Sequence, residues 1–293
     1  MQINKLNILN FVFYVINILI TYGVGNAGWL GTPDNGELSD KYQTLVTPNG
    51  SAFSIWGLIF IAQGVFAVAQ LFPKFRDEMM VTEGVKYWWI LACIFQCGWT
   101  IAFGFEVIWL SLVFMLSIWS SLAALLYSQY YTESNGSLVE FWLLRFPFAV
   151  HCGWLTAASA LNVNVVVVDA GLPADYQLAF GIISLAVLHA ISVWVVFGLQ
   201  KPNYTIAGVL AWANYFISVE LREPSDQIMA RFSFDAISGV RYAAVAVSCI
   251  ILLQIVIRVP IDVYARKFKK EEESSDESSS STKKDGSDGA IDV

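Results

Sequence analysis

The chain has little charge: only 14% of its 293 residues are Asp, Glu, Lys or Arg, against roughly a quarter in ordinary soluble domains. Hydrophobic residues make up 56% of it, and the mean hydropathy is +0.57. A soluble fold of this size could not keep so much apolar surface from water. This excludes a water-soluble globular enzyme, a disordered regulator and a collagen-like chain. The composition therefore predicts an integral membrane protein made of helices.

Histidine and cysteine are also scarce, with two His and four Cys. All four cysteines lie in apolar runs, so we expect no disulfide framework. The sequence has no GxSxG, Walker A, HExxH or CxxC motif, and therefore no specific sign of catalysis or metal binding. It has no basic stripe away from the membrane edge, so we expect no nucleic-acid partner. We also expect that the protein is not an enzyme.

Eight apolar runs are candidates to cross a bilayer core of ~30 Å, which takes about 20 residues of helix. The predicted spans are 8–27, 52–72, 87–105, 107–127, 141–165, 178–199, 204–219 and 236–259. The seventh is the weakest because it is short and has Asn214 in its middle. The first could be a cleaved signal peptide, but its apolar run is long for one, and we expect it to be retained.

The positive charges are divided unequally between the two sides of these eight spans. The side opposite the termini holds Lys41, Arg222 and Arg231, whereas most other Lys and Arg lie on the side of both termini. By the positive-inside rule we expect the N- and C-termini in the cytoplasm. The tail, residues 266–293, is acidic, Ser-rich and of low complexity, which predicts a disordered cytoplasmic end.

Three spans have aromatic stripes at helical spacing, each with hydrogen-bonding groups or small residues among them. The stripe residues are Phe53, Trp56 and Phe60 in the second span, Gln96, Trp99 and Phe103 in the third, and His151, Trp154, Ala158 and Asn162 in the fifth. Such stripes can be packing faces with Trp as interface anchors. They also lie at a similar depth beneath the loop 28–51, called the first loop, which is long enough to act as a lid. We interpret them as the walls of a cavity for a flat apolar ligand.

At these residues the sequence resembles the tryptophan-rich sensory protein family, TspO/MBR, which includes the translocator proteins. The F-x-x-W-x-x-x-Y stripe of the family corresponds to FSIWGLIF, residues 53–60. Its N-x-x-W-x-x-x-F element corresponds to residues 96–103, with Gln96 in place of Asn. Its W-x-x-x-A-x-x-x-N element corresponds to residues 154–162, and a Pro-containing turn, TPNG, occupies residues 47–50.

The resemblance implies an all-α membrane fold with a TspO-like five-helix unit in residues 1–167. It is closest to the longer branch of the family, so we expect three additional transmembrane helices in residues 168–265. It further implies binding of porphyrins, other tetrapyrroles or sterols in a pocket under the first loop, with transport or sensing of the ligand. We expect the Trp rings to stack on the ligand and the polar groups to satisfy its edge. The residues expected in the latter role are Gln96, His151 and Asn162.

Other functions stay open on the sequence alone. The protein could be a structural or assembly subunit of a larger membrane complex, without turnover. A secondary transporter is disfavoured because Glu106 and Glu220 both lie at predicted helix ends. His151 and His189 could hold a haem, although a buried His is more often a hydrogen-bonding core residue. No cofactor is established; as partners we expect membrane lipids and a hydrophobic small molecule, with a homodimer or a larger complex left open.

Overall fold

The computed structural model describes residues 4–285, and side chains within residues 4–265. Every regular element in this part of the chain is helical. The helices are α1 (Lys5–Gly25), α2 (Asn35–Lys41), α3 (Ile55–Ala69), α4 (Trp88–Gly104), α5 (Ile108–Tyr131), α6 (Leu138–Glu140), α7 (Phe146–Asp169), α8 (Ala174–Val193), α9 (Tyr204–Glu220), α10 (Asp226–Arg231) and α11 (Phe234–Asp285). A 3-10 turn, Gly50–Ser54, leads into α3, and short π-helical turns occupy Met80–Val85, Phe141–Arg145 and Trp194–Gly198.

Each of the eight predicted spans coincides with a helix: α1, α3, α4, α5, α7, α8, α9 and α11. Six helical segments within the described residues are long and apolar enough to cross a membrane, namely Lys5–Gly25, Gly50–Ala69, Ile108–Tyr131, Leu138–Asp169, Ala174–Gly198 and Phe234–Ala265. Trp88–Gly104 is a shorter apolar helix, and α9 has only 17 residues. The predicted all-α integral membrane fold is confirmed; that α9 crosses fully stays a prediction.

Five helices form a closed ring. In this ring α1 contacts α4, α4 contacts α5, α5 contacts α7, α7 contacts α3, and α3 returns to α1. Helices α8 and α9 pack on the outside of α7, and α11 packs on both of them. The ring contains the five spans expected in residues 1–167, although the division into separate units stays a prediction.

Helix α1 is tied into the ring by amide groups. Gln70 lies at the C-terminal end of α3. Its Oε1 accepts hydrogen bonds from the side chains of Asn7 and Asn10 on α1, at 2.8 and 3.3 Å. Gln70 in turn donates to the backbone oxygen of Asn7 at 2.8 Å. All three side chains are buried, and polar groups in lipid are costly without such partners. The first apolar run is therefore an integral part of the bundle.

The last helix extends further than the composition predicts. The backbone of residues 266–285 continues α11 as helix; that residues 266–293 form a disordered cytoplasmic tail stays a prediction. The rest of the predicted tail, residues 286–293, lies outside the described residues.

Candidate functional site

A cavity of about 560 Å³ lies inside the ring of helices and beneath the first loop. All five helices of the ring contribute to its wall, and the first loop covers one end. Nine of the ten residues predicted from the sequence line it: Phe53, Trp56, Phe60, Gln96, Trp99, Phe103, Trp154, Ala158 and Asn162. The helical spacing therefore identified faces that meet in space, while the role of these residues in binding stays a prediction.

One wall of the cavity is a continuous aromatic surface on α3 and α7. The indole of Trp56 stacks on Phe60, with ring centroids 5.3 Å apart and planes inclined by 19°. Trp154 meets Trp56 edge-on at 6.4 Å and Phe53 edge-on at 5.6 Å. Edge-to-face packing of this kind is favourable for aromatic rings. It fixes the plane of Trp56 and leaves an apolar face on the cavity side.

The second aromatic pair is on α4. Trp99 stacks on Phe103 at 5.0 Å with an interplanar angle of 14°, and its Nε1 donates to Oδ1 of Asn162 at 3.0 Å. The amide nitrogen of Asn162 donates to Oγ of Ser111 on α5 at 3.2 Å. Both ends of the Asn162 amide thus have protein partners. In this geometry Asn162 holds Trp99 in place, whereas the sequence suggested that it would bind a polar edge of the ligand.

Two buried amide oxygens of the wall lack a hydrogen-bond partner among the described residues, Oε1 of Gln43 in the first loop and Oε1 of Gln96 on α4. Gln96 is the one predicted from the sequence. Its side chain is 2% exposed and lines the cavity, yet its Oε1 has no hydrogen-bond partner among the described residues. A buried acceptor without a partner costs free energy, on the order of 1–3 kcal/mol. A ligand that donates a hydrogen bond to Gln96 would remove this cost.

His151, expected on the cavity face, is the one predicted site residue that is not part of the described cavity wall; its role in binding stays a prediction. Its Nδ1 lies 2.9 Å from Nε2 of Gln63 on α3, and its ring meets Trp56 edge-on at 5.6 Å, but it does not line the cavity. Helix α7 is buried on most of its circumference, so residues one turn apart can face different neighbours. The other histidine, His189, is half-buried on α8, and residues 4–265 contain no group of three or more His, Cys, Asp or Glu that could hold a metal.

The first loop is anchored over the cavity through α2. This helix begins with a capping box, in which the Asp34 side chain accepts from the backbone nitrogen of Glu37 and Glu37 accepts from that of Asp34. At its other end, Lys41 forms an ion pair with Glu106, and the Tyr42 hydroxyl donates to the same carboxylate at 2.7 Å. Glu106 lies in the turn between α4 and α5 at a φ of 57°. Hydrogen bonds from Lys41 and Tyr42 lower the pKa of Glu106 below its ordinary value.

The C-terminal helices also hold the first loop, which the sequence did not suggest. Nδ2 of Asn49 donates to Glu220 at 3.0 Å, and its backbone nitrogen donates to the Phe216 oxygen at 3.0 Å. The Arg231 guanidinium donates to the backbone oxygen of Gln43 at 2.5 Å. As a result, Glu220, at the end of α9, becomes part of the cavity wall.

Other lining residues extend the predicted stripes. Leu161 and Val165 continue the face of Ala158 and Asn162 at steps of three and four along α7, so helical spacing could have found them. Tyr22 on α1 and Met115 on α5 also line the cavity. No local pattern marks these two, because their position depends on how the ring closes.

A family model described as TSPO-like protein matches residues 7–257 of this chain. The match runs from α1 into α11, so it takes in the three C-terminal helices as well as the ring. It covers well over half of the chain. No curated protein and no solved structure matches the sequence.

Proposed function

Because the chain belongs to the TSPO-like protein family and is an integral membrane protein with several spans, we propose that it binds a flat apolar molecule in the cavity beneath the first loop. Porphyrins and sterols are the ligand classes with the right shape. The proposed action is binding, followed by carriage or sensing of the ligand rather than its chemical conversion.

The meeting of aromatic stripes from three helices around one hollow is the observation that supports this most. A volume of about 560 Å³ lies within the range of small-molecule sites, roughly 300–1,000 Å³. Trp56 with Phe60 and Trp99 with Phe103 are two stacked pairs on the wall. Flat rings in the wall favour a flat guest, since stacking needs parallel surfaces.

The polar groups of the site support binding of an amphipathic guest. Most of the wall is apolar, and Gln43 and Gln96 each offer an unpartnered acceptor within it. A few placed polar groups in an apolar cavity orient a ligand more than they add affinity. The first loop covers one end of the cavity and is held there by hydrogen bonds and an ion pair, so we propose that its movement governs entry and release of a ligand.

The test is binding of an uncharged porphyrin, mesoporphyrin IX dimethyl ester, by the purified full chain in lipid nanodiscs. Trp56→Leu removes a stacking surface and should weaken binding by roughly two- to tenfold, given about 0.5–1.5 kcal/mol for an aromatic contact. Ala158→Phe fills the cavity and should abolish binding. Trp109→Leu is the matched control, because Trp109 is exposed on α5 and does not line the cavity, and its affinity should equal that of the wild type.

Equal affinity in all four proteins would show that any bound porphyrin sits elsewhere, and the proposal would fail. If neither a porphyrin nor a sterol binds, while other proteins copurify in fixed stoichiometry, the role of a structural or assembly subunit would replace it.

A further inference from the structure

The ionisable side chains among the described residues of the cavity wall are all acids, so the only charge that they can carry is negative. Among the described residues, the wall contains the carboxylates of Asp40 and Glu220 and the phenols of Tyr22 and Tyr42. None of the described lining residues is Lys, Arg or His. Asp40 comes from the first loop and Glu220 from the end of α9, so two separate parts of the chain bring negative charge to this end of the cavity.

Three basic residues lie close along the chain to these carboxylates or to the first loop, namely Lys41, Arg222 and Arg231. Arg222, two residues after Glu220, is exposed and does not line the cavity. Lys41 follows Asp40 but forms its ion pair with Glu106. Arg231 donates to the backbone oxygen of Gln43 at 2.5 Å and to Oε1 of Gln177 at 2.8 Å. Neither lines the cavity. A ligand acid within the cavity would therefore meet carboxylates, with no Lys, Arg or His among the described residues that line it.

The wall contains hydrogen-bond acceptors with capacity to spare. Oε1 of Gln96 is buried and has no partner. The Glu220 carboxylate accepts one hydrogen bond, from Asn49 at 3.0 Å, and an ionised carboxylate has about four acceptor positions. A guest that donates hydrogen bonds fits these groups, and a guest that brings only acceptors leaves them unsatisfied.

We propose that the cavity selects flat apolar ligands by charge, taking those whose polar edge is uncharged or cationic and excluding acids, with Glu220 as the specificity-determining residue. The physical basis is like-charge repulsion at Glu220, which is half-buried, so that salt screens its charge less than that of Asp40, which is exposed. This inference rests on the proposed function and narrows its ligand class. It also means that the C-terminal helices contribute to ligand selection, because Glu220 lies at the end of α9.

Two porphyrins of nearly the same shape make the test. Mesoporphyrin IX has two propionic acid groups, which are ionised at neutral pH, and its dimethyl ester has none. Binding of each is measured in nanodiscs of phosphatidylcholine, with empty nanodiscs subtracted to remove partition into lipid. We expect the ester to bind the wild-type protein at least about tenfold more tightly than the diacid, a difference typical of one avoided like-charge contact.

The variant Glu220→Gln removes the charge and keeps an oxygen that accepts from Asn49. It should narrow the ratio of the two affinities to about threefold, as should Asp40→Asn on the first loop. The matched control is Glu223→Gln, because Glu223 is an exposed carboxylate three residues along the chain that does not line the cavity. Its ratio should remain that of the wild type.

The outcomes separate this inference from the proposed function. If both porphyrins bind in the cavity with equal affinity, or the diacid binds more tightly, the charge selection is wrong while the ligand site stands. An unchanged ratio in Glu220→Gln would also overturn it, whatever the ratio in Asp40→Asn. If neither porphyrin binds, nor a sterol, the proposed function itself fails.

Discussion

The indole nitrogen of Trp99 donates to Oδ1 of Asn162 across 3.0 Å, and this bond joins α4 to α7 on the wall of the cavity. Asn162 extends the link to α5 through Ser111. Because Trp99 lies nearly parallel to Phe103, the amide of Asn162 sets the plane of both rings. Three helices are thus held at the level where the aromatic surface faces the cavity.

Replacement Trp99→Phe should test this link. The ring stack can persist, but the N–H donor is lost, and we expect the free energy of unfolding to fall by about 1 kcal/mol, the usual worth of such a bond. Porphyrin affinity should fall a few-fold as the ring plane becomes less fixed. Thermal or denaturant unfolding in detergent measures the first effect. Trp109→Phe, at an exposed position on α5, should leave both quantities unchanged, and equal stability of the two variants would contradict the assigned role.

The pair formed by Gln63 and His151 gives a second prediction. Both side chains are buried, and they share a hydrogen bond of 2.9 Å between α3 and α7. In His151→Leu the Gln63 amide loses its partner, so the free energy of unfolding should fall by about 1–3 kcal/mol. The double variant Gln63→Leu, His151→Leu should recover part of this loss, because an apolar pair leaves no polar group unsatisfied. Loss of porphyrin binding without loss of stability would instead support a direct contact of His151 with the ligand.

The transmembrane helices could be predicted from the sequence because lipid demands about 20 apolar residues for each crossing. The lining of the cavity was also largely predictable. Trp56, Trp99 and Trp154 lie on stripes with helical spacing, and a stripe indicates which residues share a face. It does not indicate what that face meets, and His151, one turn from Trp154, packs against Gln63 instead of lining the cavity.

The polar contacts of the first loop could not be predicted in the same way. Glu220 and Asn49 are 171 residues apart, and no local pattern relates them. The ion pair of Lys41 with Glu106 similarly joins the first loop to the turn after α4. These contacts depend on how α9 and the α4–α5 hairpin pack against the ring. The charge of the cavity wall follows from them, so it became visible only in the structure.

The contact of Glu106 with Lys41 and Tyr42 predicts a pH dependence of the first loop. Since these partners lower the pKa of Glu106, the ionised carboxylate stabilises the closed loop above the ordinary carboxyl range, about pH 4.3. This contribution is lost as the pH falls through the lowered pKa. We therefore expect hydrogen exchange in residues 35–47 to be slower in the wild type than in Glu106→Gln at neutral pH, by roughly two- to fivefold for an exposed ion pair.

The two proteins should converge at acid pH. Exchange is compared between them at each pH from about 7 to about 3, so that the intrinsic pH dependence of exchange cancels and only the titration of Glu106 remains. Glu223→Gln, which alters an exposed carboxylate outside this contact, should follow the wild type throughout. A constant ratio over the whole range would mean that Glu106 does not hold the loop.

Gly153 lets α9 approach α7 closely, and this contact should position Glu220. A Cβ at Gly153 would lie 3.0 Å from Cβ of Val209 and 3.2 Å from Cα of Ile206, which is a backbone atom and cannot rotate away. Gly153→Leu should therefore push α9 outwards and lower the free energy of unfolding by about 1–3 kcal/mol, as overpacking does. The displaced Glu220 should also discriminate less well between mesoporphyrin IX and its dimethyl ester.

Gly208→Leu is the matched control on α9, because a Cβ there would meet no atom within 4 Å. Gly208→Leu should lower the free energy of unfolding by less than about 1 kcal/mol and should leave the ratio of the two porphyrin affinities unchanged. Denaturant unfolding and the paired titrations measure both effects. If Gly153→Leu unfolds too readily for titration, Gly153→Ala introduces the same Cβ with less volume and should give the same changes on a smaller scale. A Gly153→Ala protein that is less stable but keeps the full affinity ratio would show that α9 packing and charge selection are independent.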